Sequence, residues 1–562
     1  MGKTDFTPKF EVNPPKPGTF RSIFKWGKHD QYKHPSQGFF SVIQESLDLP
    51  DYHFSQKKAT GDQPVADTVP SNITQKDLVA ITQIVGTENI DKSTYARLFH
   101  ATGKSMEDVL RLRHSVIEHL PDLVIHPRNK DDVQKIVNHC NLNSIPVHIY
   151  GGGSSVTQGL ECRKGGVTLV MGTHMNKVLE FNETNQTITV EPGMMGPAYE
   201  EILNNAPKRF KAAHAYTGGH FPQSFEYSSV GGWIVTLGAG QASSYYGDAY
   251  DLVISQEYVT PTGTFTTKDY PGTATGPKIN DMMKGSEGCF GVLVAVTFKI
   301  FRHFPKNTRS FGFIFPSWEA AVTASREICQ GEFGMPSVLR ISDPEETDVA
   351  MQMYGIQDTV LDRFMQFKSF KPKQRCFLMG QVDGDRRYTA MVKGNIKRVC
   401  KQNKGMYITG YPMKKWSHGR FSDPYMRDSL NDFDVLIDTL ECSVTWENLH
   451  SLHTEVRKHI KANPHTICMT HASHFYAQGT NLYFIFITRN KDLEEFRKFQ
   501  KGIIEQINAN KGSLSHHHGV GRLMSTFMED HLGKEQMDVL KALKHHFDPN
   551  GIMNPGGTLG LD

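Results

Sequence analysis

A strand that runs directly into three glycines is the feature that most constrains the fold of this chain. Residues 145–150 read as a β-strand, and the loop that follows is Gly151, Gly152, Gly153, Ser154, Ser155. Because glycine backbones can turn sharply and approach closely, their amides can converge on an anion such as a pyrophosphate, and two hydroxyls add donors. A tight structural turn is the alternative. The spacing matches neither GxGxxG nor a loop ending in lysine and serine or threonine, so the Rossmann and nucleoside-triphosphate motifs are excluded.

The composition describes a large globular chain. Its 562 residues suffice for several domains and for a cofactor buried between them. Lysine and arginine total 62 against 59 acidic residues, and because the signs are mixed along the chain we expect no nucleic-acid partner. The eight cysteines form no CxxC pair, which favours free thiols in a reducing compartment. No targeting signal is recognisable, and no apolar stretch is long enough to span a bilayer, so we expect an intracellular protein.

The patterns along the chain predict an α+β protein in four parts. Residues 1–117 form an N-terminal arm and a helical region, in which residues 1–75 are Pro-rich, basic and aromatic and read as extended, and Thr74 is the capping candidate for helices over 78–120. Residues 118–305 alternate short strands and helices, 306–510 read as a substrate cap of strands and long charged helices, and 511–562 form a C-terminal segment. The arm either packs on the body or makes a peripheral membrane contact.

Three consecutive histidines, His516, His517 and His518, are hard to explain by packing alone. Burying one imidazole requires partners for two ring nitrogens, so burying three predicts a polar cavity. A solvated loop is the alternative. Because adjacent side chains diverge, three neighbours cannot all bind one metal ion, and we predict no metal site.

Several further segments are rich in small residues, as expected where backbone presses closely on a long cofactor. They include residues 191–193, 220–224, 229–233 and 285–292. With the triple-glycine loop, and in this order, they resemble the vanillyl-alcohol-oxidase family of flavoproteins, whose flavin domain is also that of p-cresol methylhydroxylase. The resemblance covers about residues 118–305 and the C-terminal segment, and it implies a two-lobed FAD-binding domain with an α+β cap.

The resemblance also implies which residues contact FAD. In many family members a histidine at the glycine loop carries the flavin covalently, whereas here the strand end and loop read Ile149-Tyr150-Gly151. Non-covalent FAD is therefore implied. The implied FAD-binding residues are Tyr150, Gly151, Gly152, Gly153, Ser154, Ser155, Gln223, Ser224, Ser229, Gly231, Gly232, Thr236, Glu287, Gly288, Gly291 and Val292.

Within that family the chain resembles the alkyldihydroxyacetonephosphate synthases of ether-lipid biosynthesis, and this resemblance continues through the cap. It rests on segments such as Trp26-Gly27, residues 216–220, Arg340, Arg427 and Tyr483. The implied activity exchanges the acyl chain of acyl-dihydroxyacetone phosphate for a fatty alcohol through a flavin N5 adduct, without net oxidation. The implied partners are these two lipids and a second copy of the chain in a homodimer, and the implied location is cytoplasmic or peroxisomal.

The resemblance assigns roles to the candidate site residues. Tyr483 accepts and returns the substrate proton, Arg427 holds the phosphate, and Arg340 and the three histidines shape the polar pocket. A tyrosine titrates near 10, so this role needs positive charge nearby. Without the resemblance, the residues favour Tyr483 as a core aromatic residue of a strand over 482–487, and the arginines as partners in surface ion pairs, for example to Asp343 or Asp428.

A related group of flavoproteins provides the alternative function, an FAD-linked oxidoreductase acting on a D-2-hydroxy acid or a similar alcohol. Those dehydrogenases carry H-x-x-D-G-N-x-H in the cap and E-H-G-x-G near the end, and their histidines and glutamate gather a metal. Here Tyr483 stands for the second histidine and His517 for the glutamate. Two metal positions are thus replaced by a phenol and an imidazole, groups better suited to proton transfer.

Overall fold

The computed structural model describes residues 6–489 and 492–561, so the first five residues of the arm and Asp562 lie outside the described part. The N-terminal region contains helices α1 (Phe20–Phe24), α2 (Gln37–Leu47), α3 (Gln75–Val85), α4 (Thr94–Phe99) and α5 (Met106–Arg113). Thr74 caps α3 as predicted, its side chain accepting the Asp77 amide. In the described part of the chain, no helix combines the length and apolarity needed to cross a membrane.

The expectation that residues 1–75 are extended is wrong at α2. Ser36 is the N-cap residue of this helix. Its buried face is lined by Phe39, Phe40, Ile43 and Leu47, and this face packs against the substrate cap domain. Large aromatic side chains of the arm are buried, at 0–5 % exposure for Phe20, Phe24, Trp26, Phe39 and Phe40. The arm is therefore part of the protein core.

Two larger sheets, and a two-stranded one in which residues 216–217 pair with 301–302, form the lobe that contains the glycine loop. A mainly parallel sheet has the order β1-β2-β4-β3, and an antiparallel sheet has the order β5-β6-β10-β8-β9. The strands are β1 (Ile90–Asp91), β2 (Leu123–Ile125), β3 (Val147–Tyr150), β4 (Val167–Val170), β5 (Val178–Asn182), β6 (Thr187–Val190), β7 (Tyr216–Thr217), β8 (Val253–Thr260), β9 (Gly263–Thr266), β10 (Val292–Lys299) and β11 (Phe301–Arg302). The helices are α6 (Lys130–Leu142), α7 (Gly196–Asn204), α8 (Ala206–Phe210), α9 (Val230–Val235), α10 (Ser243–Tyr246) and α11 (Ala249–Leu252).

The cap is built on a sheet of order β15-β12-β14-β13-β17-β18-β16. Its strands are β12 (Arg309–Phe315), β13 (Val338–Ser342), β14 (Cys376–Val382), β15 (Met406–Tyr407), β16 (Val435–Thr445), β17 (Ile467–Phe475) and β18 (Gly479–Arg489). The helices from here on are α12 (Trp318–Gln330), α13 (Pro344–Met353), α14 (Val360–Phe367), α15 (Arg386–Gln402), α16 (Tyr411–Gly419), α17 (Tyr425–Asn431), α18 (Leu449–Ala462), α19 (Leu493–Ala509), α20 (Met528–Leu532) and α21 (Lys534–Phe547).

The two faces of the cap sheet differ in chemistry because side chains alternate along each strand. One face is apolar, and helices α12, α15, α18 and α19 cover it with their own apolar stripes. The opposite face, here called the inner face, carries one row of paired residues across all strands of the sheet. In sheet order this row is Met406, Ile314, Phe377, Ser342, His471, Tyr483, Glu441.

The C-terminal segment returns to the parallel sheet. The Val147 amide donates to the Ile552 carbonyl at 2.8 Å, and the Asn554 amide donates to the Val147 carbonyl at 2.8 Å. The strand that feeds the glycine loop is thereby fixed from both sides. The residues between α19 and this return include the histidine run, which consequently lies between the cap and the lobe with the glycine loop.

Candidate functional site

Tyr483 lies at the polar end of the inner row, between His471 and Glu441. Its ring stacks on the His471 imidazole with 4.9 Å between centroids and 18° between planes. The phenol donates a hydrogen bond of 3.1 Å to Thr439 Oγ1. Burial raises the pKa of Tyr483 to about 12, so the phenol is protonated in the chain alone. A base role would need a cation brought close to its oxygen.

Glu441, also in this row, fixes the backbone of the histidine run. Its carboxylate accepts bonds from the amides of His516, His517 and His518 at 3.0–3.1 Å and from the Ser515 hydroxyl at 2.8 Å. The Asn481 side-chain amide donates to the other oxygen at 2.7 Å. Burial opposes the charge of Glu441, but the neighbouring imidazoles and these hydrogen bonds lower its pKa. The run is therefore a rigid turn wrapped around a buried carboxylate.

The three imidazoles of the run face the same region as Tyr483. The His517 and His518 rings lie 6.0 and 5.5 Å from the tyrosine ring. His516 Nε2 is 2.6 Å from the Tyr476 hydroxyl. Burial lowers the pKa of all three imidazoles, so they are neutral near pH 7. Since all three are largely buried, the solvated-loop alternative does not describe them.

Sequence reasoning missed four residues of this cluster: Glu441, His471, His474 and Tyr476. His474 lies at a β-bulge of β17 with φ of 50°, and its ring is 5.0 Å from that of His516 and 4.9 Å from that of His517. The available signal was the pair His471 and His474 at the end of a strand, close to Tyr483 in sequence. Glu441 had no local signal, because only strand pairing brings it to the run.

Arg340 lies on the inner face and pairs with Glu346 of α13. The Glu346 carboxylate is also 3.4 Å from His471 Nδ1. Burial opposes the charge of Glu346, but the Arg340 guanidinium outweighs it and lowers the pKa to about 2. Arg340 is thus linked to Tyr483 through a carboxylate and an imidazole.

Arg427 projects from α17 toward the glycine loop. Its Nη1 donates to the Lys104 carbonyl at 2.8 Å, and the Lys104 amide donates to the Ser155 carbonyl at 2.6 Å. The buried Nε and Nη2 of Arg427 have no hydrogen-bond partner among the described residues. Because a buried, unpaired guanidinium is costly, these donors are expected to meet an anionic ligand.

The glycine loop packs against the segment that leads into α9. A Cβ at Gly151 would lie 2.4 Å from Ser229 Oγ, and one at Gly152 would lie 2.2 Å from the Tyr227 carbonyl oxygen. Gly153 has φ of +71°, which favours glycine. The three glycines are therefore required for close packing of the loop, whatever it binds.

The surroundings of the loop fit FAD on two grounds. First, the backbones of Gly151, Gly172 and Gly193 converge, since a Cβ at Gly172 would lie 3.7 and 3.9 Å from the carbonyl oxygens of the other two. Second, buried polar atoms on the adjoining segments have no partner among the described residues: both His220 ring nitrogens, Gln241 Oε1 and Ser286 Oγ. Glycine backbone and unsatisfied buried polar atoms together are what a long polar cofactor requires.

The other predicted FAD-binding residues occupy the walls of this region. Ser229 caps α9 by accepting the Gly232 amide at 3.2 Å, the Gly231 amide donates to the Pro192 carbonyl at 2.9 Å, and the Thr236 hydroxyl donates to the Gly232 carbonyl at 2.8 Å. Gln223 Nε2 donates to the Arg420 carbonyl at 2.5 Å, which ties this wall to the cap. The remaining ones are Tyr150, against the loop, and Ser154, Ser155 and Ser224, all partly exposed.

Glu287 has a structural task that the sequence did not suggest. Its carboxylate accepts the amides of Val520 and Gly521 at 2.6 and 2.8 Å, and burial raises its pKa to about 7. Gly288 has φ of +78°, and Gly291 and Val292 are buried where β10 begins. Glu287 thus joins the FAD-type lobe to the residues just after the histidine run.

One cluster of a carboxylate and two imidazoles bears on the prediction that the chain has no metal site. Ligand atoms of Glu441, His517 and His518 lie within 4.8 Å of one another. The carboxylate, however, already accepts bonds from three backbone amides, a hydroxyl and a side-chain amide, which occupy its lone pairs. Hydrogen bonds alone thus account for the acceptor capacity of this carboxylate, and the absence of a metal site stays a prediction.

Comparison with known proteins identifies both halves of the chain. Residues 121–268 match the FAD binding domain family, and residues 304–558 match the C-terminal domain of FAD linked oxidases. An alkyldihydroxyacetonephosphate synthase of Dictyostelium discoideum is 30% identical over 480 residues, which cover 82% of this chain and 77% of that protein. The Trypanosoma brucei brucei alkyldihydroxyacetonephosphate synthase is 28% identical over 523 residues, covering 89% and 83%.

A solved alkyldihydroxyacetonephosphate synthase structure shares the fold, with a TM-score of 0.80 and 24% identity over 95% of this chain and 99% of that one. The two-lobed FAD-binding fold with its α+β cap, predicted from the sequence, is confirmed, and so is FAD as the cofactor. The chain belongs to the alkyldihydroxyacetonephosphate synthase family of FAD-dependent enzymes.

Proposed function

We propose that the chain is an alkylglycerone-phosphate synthase with non-covalently bound FAD. It would exchange the acyl chain of acyl-dihydroxyacetone phosphate for a fatty alcohol, releasing a fatty acid and forming an ether. The observation that carries the proposal is the placement of Tyr483, a phenol stacked on one imidazole and beside two others, where a metal-dependent relative would carry a histidine ligand. No net redox change occurs.

The chain's own groups divide the work. FAD, when bound, supplies a nucleophilic ring nitrogen. Arg427, whose Nε and Nη2 have no hydrogen-bond partner in the described part of the chain, binds the substrate phosphate by charge-assisted hydrogen bonds. The negative charge of the phosphate compensates the positive charge of the buried guanidinium, so binding offsets the free-energy cost of burying Arg427 without an anionic partner.

Tyr483 removes a proton from the substrate carbon and later returns one. Because the pKa of Tyr483 is raised, its phenolate is a strong base. The phenol must therefore lose its own proton before it can accept one from the substrate. The Arg340 guanidinium is the cation that favours this ionisation, and the His517 and His518 rings, 6.0 and 5.5 Å from the tyrosine ring, complete the polar surroundings of the phenol. Glu441 keeps the imidazoles in place through their backbone amides.

A turnover assay tests the proposal. The FAD-loaded chain is incubated without oxygen with palmitoyl-dihydroxyacetone phosphate and hexadecanol, and ether product and palmitate are measured. Equal amounts of both support the proposal. Bleaching of the flavin by a D-2-hydroxy acid with no ether product would instead establish the oxidoreductase alternative.

A matched pair of variants tests the role of Tyr483. Tyr483→Phe removes only the phenolic oxygen and is expected to reduce turnover by at least about a hundredfold while FAD absorbance is retained. Tyr476→Phe also removes a phenolic oxygen of the cluster, but one that contacts His516 Nε2 at 2.6 Å, so a much smaller loss is expected. Full activity of Tyr483→Phe would refute proton transfer by this residue.

A further inference from the structure

Arg420, which directly follows α16, carries a guanidinium without an anionic partner. It forms no ion pair with any residue that the structure describes, and its buried Nε has no hydrogen-bond partner among them. Two carboxylates act on it only from a distance, because Asp383 accepts the Thr308 hydroxyl at 2.6 Å and Glu200 accepts the Gly218 amide at 3.0 Å. Burial outweighs both carboxylates and lowers the pKa of Arg420 to about 10. A cation withdrawn from water without a counter-ion is costly, so this position favours the binding of an anion.

Phenyl rings pack beside this cation. The Cζ atom of Arg420 lies 4.9 Å from the ring centroid of Phe221 and 4.7 Å from that of Phe421. The Phe225 ring joins the two, with its centroid 5.4 Å from that of Phe221 and 5.2 Å from that of Phe421. Aromatic faces attract a guanidinium and fix its position, but they carry no net charge that could neutralise it. The cluster therefore combines a single cation with an apolar wall.

The cluster borders the candidate site at the seam between the cap and the FAD-binding domain. Phe221 packs against the apolar group that contains Met379, and Met379 pairs with Arg340 across β13 and β14. Because paired residues share a sheet face, Phe221 adjoins the inner face next to Arg340. The preceding residue, His220, lies close enough to His517 to influence its pKa. An anion held by Arg420 would thus lie at the edge of the site that contains Tyr483.

We propose that Arg420 binds the carboxylate of a fatty acid. This rests on the proposed function, in which the acyl chain is released as a fatty acid, and such an acid is an anion near pH 7. A guanidinium matches a carboxylate in charge and can donate two parallel hydrogen bonds to it, while the phenyl rings offer an apolar surface to the alkyl chain.

The substrate phosphate matches this position less well. A dianion would keep a net negative charge beside one arginine, and no lysine or second arginine in the described part of the chain contributes to the pKa of Arg420. The two anionic groups of the reaction are therefore held apart, the phosphate by Arg427 and the released carboxylate by Arg420.

Titration calorimetry of the full, FAD-loaded chain with decanoate and with decan-1-ol tests the proposal. The two probes share their alkyl chain and differ in charge. Arg420→Gln should weaken decanoate binding at least about tenfold and leave decan-1-ol binding within about twofold, because only decanoate uses the cation. Arg420→Lys keeps the charge without the two-bond geometry and should lie between them. Arg398→Gln makes the same change at an exposed arginine of α15 and should bind both probes as the unaltered chain does.

Four results would overturn the proposal. The first two are no decanoate binding to the unaltered chain and equal decanoate binding by Arg420→Gln. The third is an equal loss of decan-1-ol binding, which would assign the effect to the shape of the cavity. The fourth is release of FAD from Arg420→Gln, seen as lost flavin absorbance, which would make Arg420 a cofactor anchor.

The binding experiment and the turnover assay fail separately, because decanoate binding requires no reaction. Ether formation without decanoate binding would refute the Arg420 site alone. Decanoate binding without ether formation would refute the proposed function while the carboxylate site stands. Titration with inorganic phosphate distinguishes the other anion, since a loss confined to phosphate in Arg420→Gln would assign Arg420 to the substrate phosphate instead.

Discussion

Arg21 of the arm and Asp432 at the end of α17 form a buried, two-bond ion pair, with N–O distances of 3.0 and 2.8 Å. Arg113 of α5 donates to the same carboxylate at 2.9 Å. The Trp26 amide donates to Asp428 of α17 at 2.9 Å. The arm therefore fixes the helix that carries Arg427, and the Trp26-Gly27 segment acts in this contact.

Replacing Arg21 should destabilise the protein. Arg21→Leu removes one partner of a buried pair, and although Arg113 still compensates Asp432, we expect a loss of about 3 kcal/mol in the free energy of unfolding. The measurement is urea-induced unfolding, in which the urea concentration at the midpoint reports the loss of stability. Lys33→Met breaks an ion pair to Asp423 in which the side chains are 34 and 57% exposed, and it should cost no more than about 0.5 kcal/mol. Similar losses in both variants would contradict this account of the arm.

Gly27→Ala should act on substrate binding. Gly27 has φ of +64°, and a Cβ there would lie 2.1 Å from the Tyr425 hydroxyl oxygen, so α17 and Arg427 must move. We expect KM for the phosphate substrate to rise roughly tenfold, corresponding to about 1.4 kcal/mol, with a smaller effect on kcat. Gly18→Ala provides the control, since Gly18 has φ of +79° with nothing within 4 Å of the added carbon. An unchanged KM for Gly27→Ala, or an equal rise for both, would show that the contact of the Trp26-Gly27 segment with α17 does not position Arg427.

Removing metal ions should leave activity unchanged. The lone pairs of the Glu441 carboxylate are occupied by hydrogen bonds, so His517 and His518 lack the anionic partner that a divalent ion needs. Turnover after dialysis against EDTA is the measurement. Loss of activity that returns with zinc or manganese would place a metal at this cluster.

Lowering the pH should reduce the free energy of unfolding of the unaltered chain more than that of a His474→Gln variant. Burial lowers the pKa of His474 well below 6.5 in the folded chain. As the pH falls below 6.5, the imidazole therefore binds a proton in the unfolded chain before it does so in the folded chain, and the free energy of unfolding decreases. Relative to the variant, the unaltered chain should lose up to about 1.4 kcal/mol per pH unit below that value. Urea midpoints from pH 7.5 to 5 measure the difference. His516, His517 and Glu441 remain in both chains, so a difference independent of pH would mean that folding does not change the pKa of His474.

Most of the fold could be predicted because its signals are local. The capping side chain of Thr74, the strand before Gly151 and the acidic first turn of α6 each lie within a few residues of the element they define. Helix α2 was missed although its signal was present, with Ser36 as cap and apolar residues at helical spacing behind it. The prolines that precede it suggested extended chain throughout, whereas their effect ends before Ser36.

The candidate site could be predicted only in part. Tyr483 and the histidine run were found through motifs, but Glu441 joins them through pairing of β16 with β18 and through contacts with residues 74–77 positions further along the chain. No periodicity within either segment specifies that register. The same limit applies to Arg340, whose partner Glu346 became evident only with the packing of α13.

In the turn around Glu441, the backbone conformation and the side-chain chemistry depend on different groups. Its conformation depends on main-chain amides, which every residue except proline provides, so the imidazoles of His516, His517 and His518 can be exchanged without removing the bonds that hold the turn. Substitutions here should alter reactivity while the architecture is retained. The turn is thus a natural starting point for redirecting a flavoenzyme of this fold to other substrates, since new side chains would inherit a scaffold that is already in position.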